Sequence, residues 1–392
     1  MRAEKGVFME HTYCVIMAGG KGERFWPLST AGTPKPFITL IGDKTMIQMT
    51  VQRVAALVPK ERIFVVLGEE HVHVARRQLP ELSEGQFIVE PEGRDTGPCI
   101  GFTALLLHRR DPEGVMVVLP ADQYIPDADA FVATASAAAG CARQGDHLVT
   151  IGITPTRPEV GYGYICAGDR TGMAGTGSCF RVRRFVEKPD EVKAAQYLAE
   201  GNYFWNSGIF VWRAAVVLAG IERHMPGLFK GLRAIEGAVA AGHSRKVAEG
   251  FKGFQKISID YGLMEKADNV LMVKADFAWD DVGTWGSLRR VMELDEAGNY
   301  LRGNPVCVDT TGCIIYGEDV PVGVIGVSNL IIVASREGVL VCGMGRDQET
   351  RQIARMIGQA EVEGASRAAS CGGTPAGEAS VAGPSPEDEK SA

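Results

Sequence analysis

Residues 13–24 read Tyr13-Cys14-Val15-Ile16-Met17-Ala18-Gly19-Gly20-Lys21-Gly22-Glu23-Arg24, an apolar run followed directly by a loop with three glycines. The apolar run predicts a strand covered on both faces, as the strands of a parallel sheet are. Glycines at the end of such a strand let backbone N–H groups approach phosphate oxygens closely, and nearby basic side chains add positive charge. We predict that Gly19, Gly20 and Gly22 bind a phosphate group, with an ordinary tight turn as the alternative.

Two familiar glycine motifs do not fit this loop. A dinucleotide-binding GxGxxG motif would need its third glycine at the position of Phe25, and the GxxxxGK[ST] phosphate loop is absent from the sequence. The spacing therefore disfavours a dinucleotide-dependent oxidoreductase and favours another class of phosphate-binding protein.

The rest of the first 155 residues alternates short apolar runs with longer helical patterns. Strands are predicted at Tyr13–Ala18, Ile63–Leu67, Gln86–Val89, Val115–Leu119 and Leu148–Ile153, with helices between them. This alternation predicts an α/β fold with a doubly wound, mostly parallel, Rossmann-like sheet. Ligands of such sheets bind beyond the carboxyl ends of the strands, which makes the loops after Ala18, Val89 and Leu119 the candidate binding loops.

The chain changes character twice after this region. From about Tyr162 shorter strands mix with helices, which predicts an insertion that forms the other wall of a cleft. Short β runs separated by glycines then predict a small C-terminal β domain, of sheet or β-helix type, over residues 298–360, closed by a helix from Gln348 to Gln359. Residues 361–392 consist mainly of Ala, Gly, Ser, Pro and Glu, and we predict a disordered tail there.

Charge, hydropathy and cysteine content exclude several classes of protein. The formal net charge is −7 and no basic stripe is present, so no nucleic-acid partner is expected. No stretch approaches the ~18 consecutive apolar residues of a membrane span, and no membrane association is predicted. The nine cysteines form no CxxC pair or zinc pattern, which favours a reducing cytoplasm.

Further motifs follow the glycine loop along the chain. They are Phe25-Trp26-Pro27-Leu28-Ser29, Pro34-Lys35-Pro36-Phe37, Glu90-Pro91-Glu92-Gly93-Arg94-Asp95-Thr96-Gly97-Pro98, Leu119-Pro120-Ala121-Asp122-Gln123-Tyr124-Ile125, Gly161-Tyr162-Gly163-Tyr164-Ile165, Phe185-Val186-Glu187-Lys188-Pro189, Trp205-Asn206-Ser207-Gly208-Ile209-Phe210, Ser258-Ile259-Asp260-Tyr261 and Trp279-Asp280-Asp281-Val282-Gly283-Thr284-Trp285. In this order they resemble the motifs of the sugar-nucleotide pyrophosphorylases, and in particular of the mannose-1-phosphate guanylyltransferase branch.

The resemblance implies a nucleotidyltransferase catalytic domain over residues 10–297. It implies a magnesium-dependent enzyme that transfers GMP from GTP to α-D-mannose 1-phosphate and releases pyrophosphate. A sugar phosphate is already an anion near neutral pH, so positioning and positive charge are needed rather than a general base. The expected partners are GTP and mannose 1-phosphate. A homodimer is also expected, in contact through the apolar β runs after Gly298.

The resemblance also assigns candidate site residues. Lys35 is the candidate catalytic cation at the α-phosphate and the sugar phosphate, and Arg24 is the candidate for the departing pyrophosphate. The other candidates are the Mg²⁺ ligands Asp122 and Asp281, the guanine-reading residues Glu90 and Asp95 beside Gly19 and Gly20, and the sugar-phosphate residues Gly163, Glu187, Lys188 and Asn206. Structural alternatives remain: a turn cap at Asp122, a surface ion pair of Glu187 with Lys188, and a carboxylate held by Arg94 at Asp95.

Four positions depart from the family pattern. Threonine stands for arginine at 30, aspartate for asparagine at 95, glycine for alanine at 97 and glutamine for histidine at 123. None of these is a residue expected to hold metal or phosphate. Two alternative functions stay open: a pyrophosphorylase for another base or hexose, and a non-catalytic regulatory protein that binds nucleotide sugars. Regulatory relatives tend to lose the glycine loop, the lysine or the metal aspartates, and this chain has all of them.

Overall fold

The computed structural model describes residues 10–20, 22–173 and 178–371, and for residues 361–371 it describes the backbone alone. In this part of the chain one large sheet contains nine strands. They are β1 Thr12–Met17, β2 Ile63–Gly68, β3 Phe87–Glu90, β4 Val115–Pro120, β5 Leu148–Ile153, β6 Tyr164–Arg170, β7 Cys179–Val186, β8 Tyr203–Arg213 and β9 Val270–Lys274.

Helices connect these strands and follow them. The α-helices are α1 Met46–Val54, α2 Val72–Gln78, α3 Thr96–Arg110, α4 Ala128–Arg143, α5 Glu191–Glu200, α6 Ala214–His224, α7 Pro226–Ala240, α8 Ser244–Phe251, α9 Leu288–Val291 and α10 Thr350–Cys371. Aspartate side chains cap three of them: Asp95 accepts from the N–H of Thr96, Asp127 from that of Ala130, and Asp190 from that of Lys193. None of the helices in the described ranges is both long and apolar enough to cross a membrane.

The strand order is β3-β2-β1-β4-β8-β5-β9-β7-β6. The first four strands are parallel neighbours, and β5 pairs in parallel with β9. Strand β8 lies antiparallel between β4 and β5, and β7 is antiparallel to β9. The predicted α/β fold with a mostly parallel sheet is therefore confirmed, with the antiparallel strands contributed by the region that the sequence predicted as an insertion.

Helices cover both faces of the sheet. Alternate residues of β1 point to opposite faces, so that Cys14 and Ile16 pack in one apolar cluster and Val15 in the other. One cluster includes side chains of α1, α2, α4 and α5, and the other includes side chains of α3, α6, α7 and α8. Because β1, β2, β4 and β5 are buried on both faces, their sequences are almost continuously apolar.

The register of the sheet brings the glycine loop and Asp122 together. Met17 at the end of β1 is paired with Pro120 at the end of β4. The loops that follow, with Gly19 and Asp122, therefore leave the same edge of the sheet side by side. A bridge between Tyr124 and Asp280 brings the segment after β9 to this edge as well.

The strands after Tyr300 form separate, smaller sheets. They are β10 Tyr300–Arg302, β11 Val306–Val308, β12 Ile314–Gly317, β13 Gly323–Ile325, β14 Leu330–Ser335 and β15 Gly338–Gly343. Strands β10, β12 and β14 pair in parallel, and so do β11 and β13. The chain thus alternates between two sheets, as in a short parallel β-helix. Some of its apolar side chains, such as Ile314 and Ile331, share a buried cluster with Phe25 and Trp285, and Cys313, Ile315 and Val324 form a separate one. The division of the chain into domains at residues 297 and 298 stays a prediction.

The last helix is longer than the sequence predicted. Helix α10 continues to Cys371, so the first part of the segment predicted to be disordered, residues 361–371, is helical, and that prediction is wrong there. The alanines at 360, 365, 368 and 369 explain the difference, since alanine has the highest helix propensity and the nearest glycine pair begins at residue 372. Residues 372–392 lie outside the described residues.

Candidate active site

A cavity of about 610 Å³ opens at the carboxyl ends of β1 and β4. Its volume lies within the usual range for small-molecule sites. Seven of the sequence-predicted site residues line it: Gly19, Gly20, Gly22, Arg24, Lys35, Asp122 and Asp281. These residues come from three separate parts of the sequence. The parallel register of β1 and β4 and the bridge between Tyr124 and Asp280 bring them together. Lys21 lies outside the described residues.

The glycine loop packs directly against the segment of Lys35. Gly22 has a φ of +60°, and a Cβ there would lie 2.5 Å from the backbone nitrogen of Lys35. A side chain at this position would therefore be both strained and obstructed, which is the physical reason for a glycine. The hydroxyl of Ser29 donates to the carbonyl of Gly22 and closes the loop.

The ammonium group of Lys35 joins the two aspartate loops. Its Nζ donates to the backbone carbonyls of Asp122 and Asp281 and lies 3.0 Å from Oδ2 of Asp122. The lysine side chain is 9% exposed, so these contacts lie largely outside water. Two of these contacts are hydrogen bonds to carbonyl oxygens, and the third is an ion pair with the carboxylate of Asp122.

The adjacent residues Asp280 and Asp281 have different environments. Asp280 is buried and accepts two hydrogen bonds from Arg290, at 2.7 and 2.9 Å, which fully engages its carboxylate. Asp281 faces the cavity and accepts from the phenol of Tyr162 at 2.6 Å. Burial raises the pKa of Asp281, and the charge of Lys35 opposes that shift. Val282, the next residue, has a φ of +45°, a strained value for a β-branched residue.

The donor set of this cavity fits a hard divalent cation. Asp122 is 31% exposed and Asp281 faces the same space, so two carboxylates leave room for water and phosphate oxygens as further ligands. This is the arrangement in which Mg²⁺ is usually bound. Within the described residues no group of three or more His, Cys, Asp and Glu side chains is placed to hold a metal ion.

The predicted sugar-phosphate residues form a second cluster that lies beside this cavity. A Cβ on Gly163 would lie 2.4 Å from Oε2 of Glu187 and 3.2 Å from Cβ of Asn206. The glycine therefore permits a close approach of the carboxylate and the amide. Oε2 of Glu187 is buried without a hydrogen-bond partner, and Oε1 lies 2.7 Å from Nζ of Lys188. An unpartnered buried carboxylate oxygen is unfavourable unless a ligand hydroxyl donates to it.

One residue of this cluster, Asp260, was missing from the sequence-based candidates. Its carboxylate accepts from the amide of Asn206 at 2.9 Å. Burial raises the pKa of Asp260 to about 7, and the neighbouring charge of Glu187 adds to the shift. The signal for it in the sequence is its place in the motif Ser258-Ile259-Asp260-Tyr261.

Glu90 and Asp95 do not line the cavity, and their surroundings differ. Glu90 is buried with Oε1 unpartnered, and burial raises its pKa to about 7. Asp95 is exposed, has a φ of +71° and accepts from the N–H of Thr96 at the start of α3. Arg94 pairs with Glu92 instead, so the alternative of a carboxylate held by Arg94 is wrong for Asp95. The hydroxyl of Thr96 accepts from the N–H of Ile259, next to Asp260.

Most of the chain is similar to proteins of known families. Residues 13–298 match the model of the nucleotidyl transferase family, and residues 303–356 match that of the MannoseP isomerase/GMP-like beta-helix domain. The Xanthan biosynthesis protein XanB of Xanthomonas campestris pv. campestris (strain B100) is 40% identical over 347 residues, which cover 88% of this chain and 72% of the relative. The mannose-1-phosphate guanylyltransferase of Klebsiella pneumoniae is 38% identical over 352 residues, which cover 88% of this chain and 74% of the relative.

The chain belongs to the nucleotidyl transferases, in the mannose-1-phosphate guanylyltransferase branch. A crystal structure from Thermus thermophilus, described as a mannose-1-phosphate geranyltransferase, agrees with a TM-score of 0.80 at 36% identity. It covers 88% of this chain and 99% of its own. The resemblance identified from the motifs is thereby confirmed, as is the assignment to nucleotidyltransferase enzymes.

Three departures from the pattern of the guanylyltransferase branch have structural accounts. Asp95 adopts a positive φ, which asparagine and aspartate tolerate better than most residues. Gly97 touches the 257–260 segment, because a Cβ there would lie 2.6 Å from the carbonyl oxygen of Ile257. Gln123 lines the cavity and donates to the carbonyl of Ser207, beside the sugar-phosphate cluster. Nothing in the structure explains Thr30 in place of arginine.

Proposed function

We propose that this chain transfers GMP from GTP to α-D-mannose 1-phosphate, giving GDP-mannose and pyrophosphate. The observation that carries the proposal is Lys35 between two aspartates, opposite a glycine loop, in one cavity. Relatives named mannose-1-phosphate guanylyltransferase, such as that of Klebsiella pneumoniae, support the choice of substrates. The proposal includes a cytoplasmic location, where reducing conditions keep thiols such as Cys14 and Cys99 free.

The reaction needs charge and alignment. An oxygen of the sugar phosphate attacks the α-phosphorus of GTP, the bond from that phosphorus to the bridging oxygen breaks, and the electron pair leaves with pyrophosphate. Because the attacking oxygen is already anionic, no residue has to remove a proton. Lys35 supplies positive charge at the α-phosphate, backbone N–H groups of the glycine loop approach the other phosphates, and Arg24 contacts the pyrophosphate. Asp122 and Asp281 would hold Mg²⁺, which when bound neutralises charge on the phosphate oxygens.

The sugar-phosphate cluster supplies specificity for the acceptor. We expect Glu187→Ala and Asn206→Ala to raise KM for mannose 1-phosphate by roughly 5- to 150-fold, because each leaves buried hydroxyl partners unpaired at ~1–3 kcal/mol. The KM for GTP should stay within about twofold. Glu191→Ala, on the exposed side of α5, is the matched control and should change neither constant. Equal weakening of GTP and sugar phosphate would contradict the assignment.

The base is proposed to be guanine, read by Glu90. Guanine offers N1–H and N2–H₂ donors, and a carboxylate with an unpartnered oxygen can accept from both. Adenine would leave that carboxylate unpaired, which supports strong discrimination. Asp95 is the other sequence-based candidate, and its bond to the N–H of Thr96 disfavours it.

A pyrophosphate-release assay tests base and sugar together. It compares GTP, ATP, UTP and dTTP across a panel of hexose 1-phosphates, in the wild type and in Glu90→Gln. We expect the wild type to prefer GTP with mannose 1-phosphate and Glu90→Gln to lose preference for GTP over ATP. Asp95→Asn is the control and should keep the preference, because asparagine also tolerates the positive φ. Comparable use of another nucleotide or hexose would favour a pyrophosphorylase of different specificity, and release with no pair would favour a regulatory protein.

The proposal also includes a homodimer. Apolar side chains are exposed on the C-terminal strands, with Val306 at 70%, Ile325 at 73% and Val339 at 61% exposure. Exposed apolar groups of this kind are typical of contact surfaces between subunits. Sedimentation equilibrium should give the mass of two chains, and the mass of one chain at micromolar concentration would exclude a stable dimer.

A further inference from the structure

The C-terminal helix α10 reaches the cavity of the candidate active site. Arg351 and Arg355 of this helix line the cavity together with Lys35 and Asp281. Both guanidinium groups donate from Nε to one carboxylate oxygen, Oε2 of Glu23, at 2.9 and 3.0 Å. Glu23 follows the glycine loop directly, so α10 closes the cavity on the side where that loop ends.

The start of α10 is fixed to the active-site segment. Asp347 is buried, and its Oδ2 accepts from the N–H of Gly286 at 2.7 Å. Gly286 lies five residues after Asp281, the proposed Mg²⁺ ligand. The same loop therefore carries that ligand and the N–H group that anchors the helix. Arg351 and Arg355 are four residues apart and therefore lie side by side on one face of the helix. Both guanidinium groups therefore extend from an anchored helix towards the cavity wall.

The arginines contribute little to the stability of the helix. A cation in the first turn, as at Arg351, opposes the helix dipole, whereas an anion is favoured there. Their side chains are 52% and 53% exposed, and exposed ion pairs are worth little. Burial alone would raise the pKa of Glu23, but Arg355 and Arg351 outweigh it and hold that pKa below its ordinary value. Two guanidinium groups facing one carboxylate still leave a positive charge unbalanced.

The reaction produces an anion of matching chemistry in this cavity. The departing pyrophosphate takes the electron pair of the broken P–O bond and gains negative charge. Lys35 is already engaged with the carbonyls of Asp122 and Asp281, and Arg24 is a single group. Guanidinium forks match phosphate oxygens in shape and charge better than an ammonium does.

We propose that Arg351 and Arg355 bind the β- and γ-phosphates of the nucleotide and then the departing pyrophosphate, and that Glu23 occupies their donors when no phosphate is bound. This inference rests on the proposed nucleotidyl transfer and extends its site to the C-terminal region of the chain. Residues beyond the large sheet would then complete the leaving-group pocket.

The reverse reaction isolates this contact, because pyrophosphate is then a substrate. With saturating GDP-mannose, the double variant Arg351→Ala/Arg355→Ala is expected to raise KM for pyrophosphate at least ~10-fold, as charge-assisted hydrogen bonds to phosphate are among the strong ones. The KM for GDP-mannose should change by less than about twofold. The conservative pair Arg351→Lys/Arg355→Lys should give an intermediate loss. Arg346→Ala removes a nearby arginine paired with Glu349 outside the cavity, and should change neither constant. An unchanged KM for pyrophosphate in the double alanine variant would overturn the proposal.

The variant Glu23→Gln distinguishes phosphate binding by the two arginines from a purely structural link between α10 and the glycine loop. A glutamine competes less for the two guanidinium groups, so the KM for pyrophosphate should stay the same or fall. If the arginines only tie α10 to the glycine loop, Glu23→Gln loosens the same contact and raises that KM as the double arginine variant does. That result would overturn the inference.

Calorimetric titration with inorganic pyrophosphate and magnesium separates this inference from the proposed function. Binding by the wild type that the double arginine variant loses supports the arginine site, even in a chain that makes no GDP-mannose. If the wild type turns over substrate but both proteins bind pyrophosphate equally well, the arginine site is refuted and the proposed function is not.

Discussion

The Asp281→Asn variant is expected to lose at least ~10²-fold in kcat at ordinary magnesium concentrations, about 3 kcal/mol of transition-state stabilisation. Asparagine keeps the shape of aspartate, and its carbonyl oxygen can still accept the hydrogen bond that Tyr162 donates to Oδ1. The substitution therefore removes the charge and little else. Excess magnesium should partly restore the rate, since a site with one carboxylate still binds a hard cation weakly. Asp122→Asn should behave in the same way.

Asp280→Asn is a matched control one residue away. Its carboxylate is occupied by the two hydrogen bonds from Arg290 and by the N–H of Val282. We expect this variant to lower the melting temperature, because it unpairs Arg290, and to keep the wild-type magnesium concentration at half-maximal rate. Titration of activity against magnesium for the three variants separates the two effects. Near wild-type activity of Asp281→Asn at ordinary magnesium would remove Asp281 from the metal site.

The strands of the large sheet were predictable because their burial leaves a plain trace in the sequence. Strand β5 begins and ends at the residues expected from its apolar run, and β1 and β4 end within one residue of theirs. The pairing of Met17 with Pro120, which brings the glycine loop to Asp122, follows from the parallel order of such a sheet. The insertion was less predictable, since the antiparallel place of β8 between β4 and β5 depends on contacts far apart in the chain.

Some site residues were predictable from sequence motifs, and others depend on contacts between distant parts of the chain. Lys35 and Asp281 stand in motifs, and the motifs alone pointed to them. Arg290 pairs with Asp280 and leaves Asp281 to face the cavity, and no spacing in the sequence reveals that ion pair. Arg351 and Arg355 lie more than 300 residues from Glu23, in a region predicted only as a closing helix. Long-range charge contacts of this kind become visible only in the fold.

Lys35→Met is expected to lower kcat and kcat/KM together by roughly 10²- to 10³-fold, the usual scale for loss of a preorganised charge at a reacting group. The structure adds a second consequence. Lys35 donates to the carbonyls of both metal-type aspartates, so its loss should also weaken the apparent affinity for magnesium. Methionine nearly matches the length of lysine and fills the same buried space, which limits the effect on folding. Steady-state kinetics at several magnesium concentrations give both quantities.

Lys35→Arg then distinguishes charge from geometry. Arginine keeps the positive charge, but its planar fork differs in shape from an ammonium that donates to the carbonyls of Asp122 and Asp281 and pairs with Oδ2 of Asp122. We expect partial recovery of kcat and almost none of the magnesium affinity. Full recovery of both would mean that any cation serves at this place, and the detailed arrangement around the ammonium would carry no function. A Lys35→Met variant that changes only the KM for GTP would make the lysine a ground-state binder, because only interactions stronger in the transition state raise kcat.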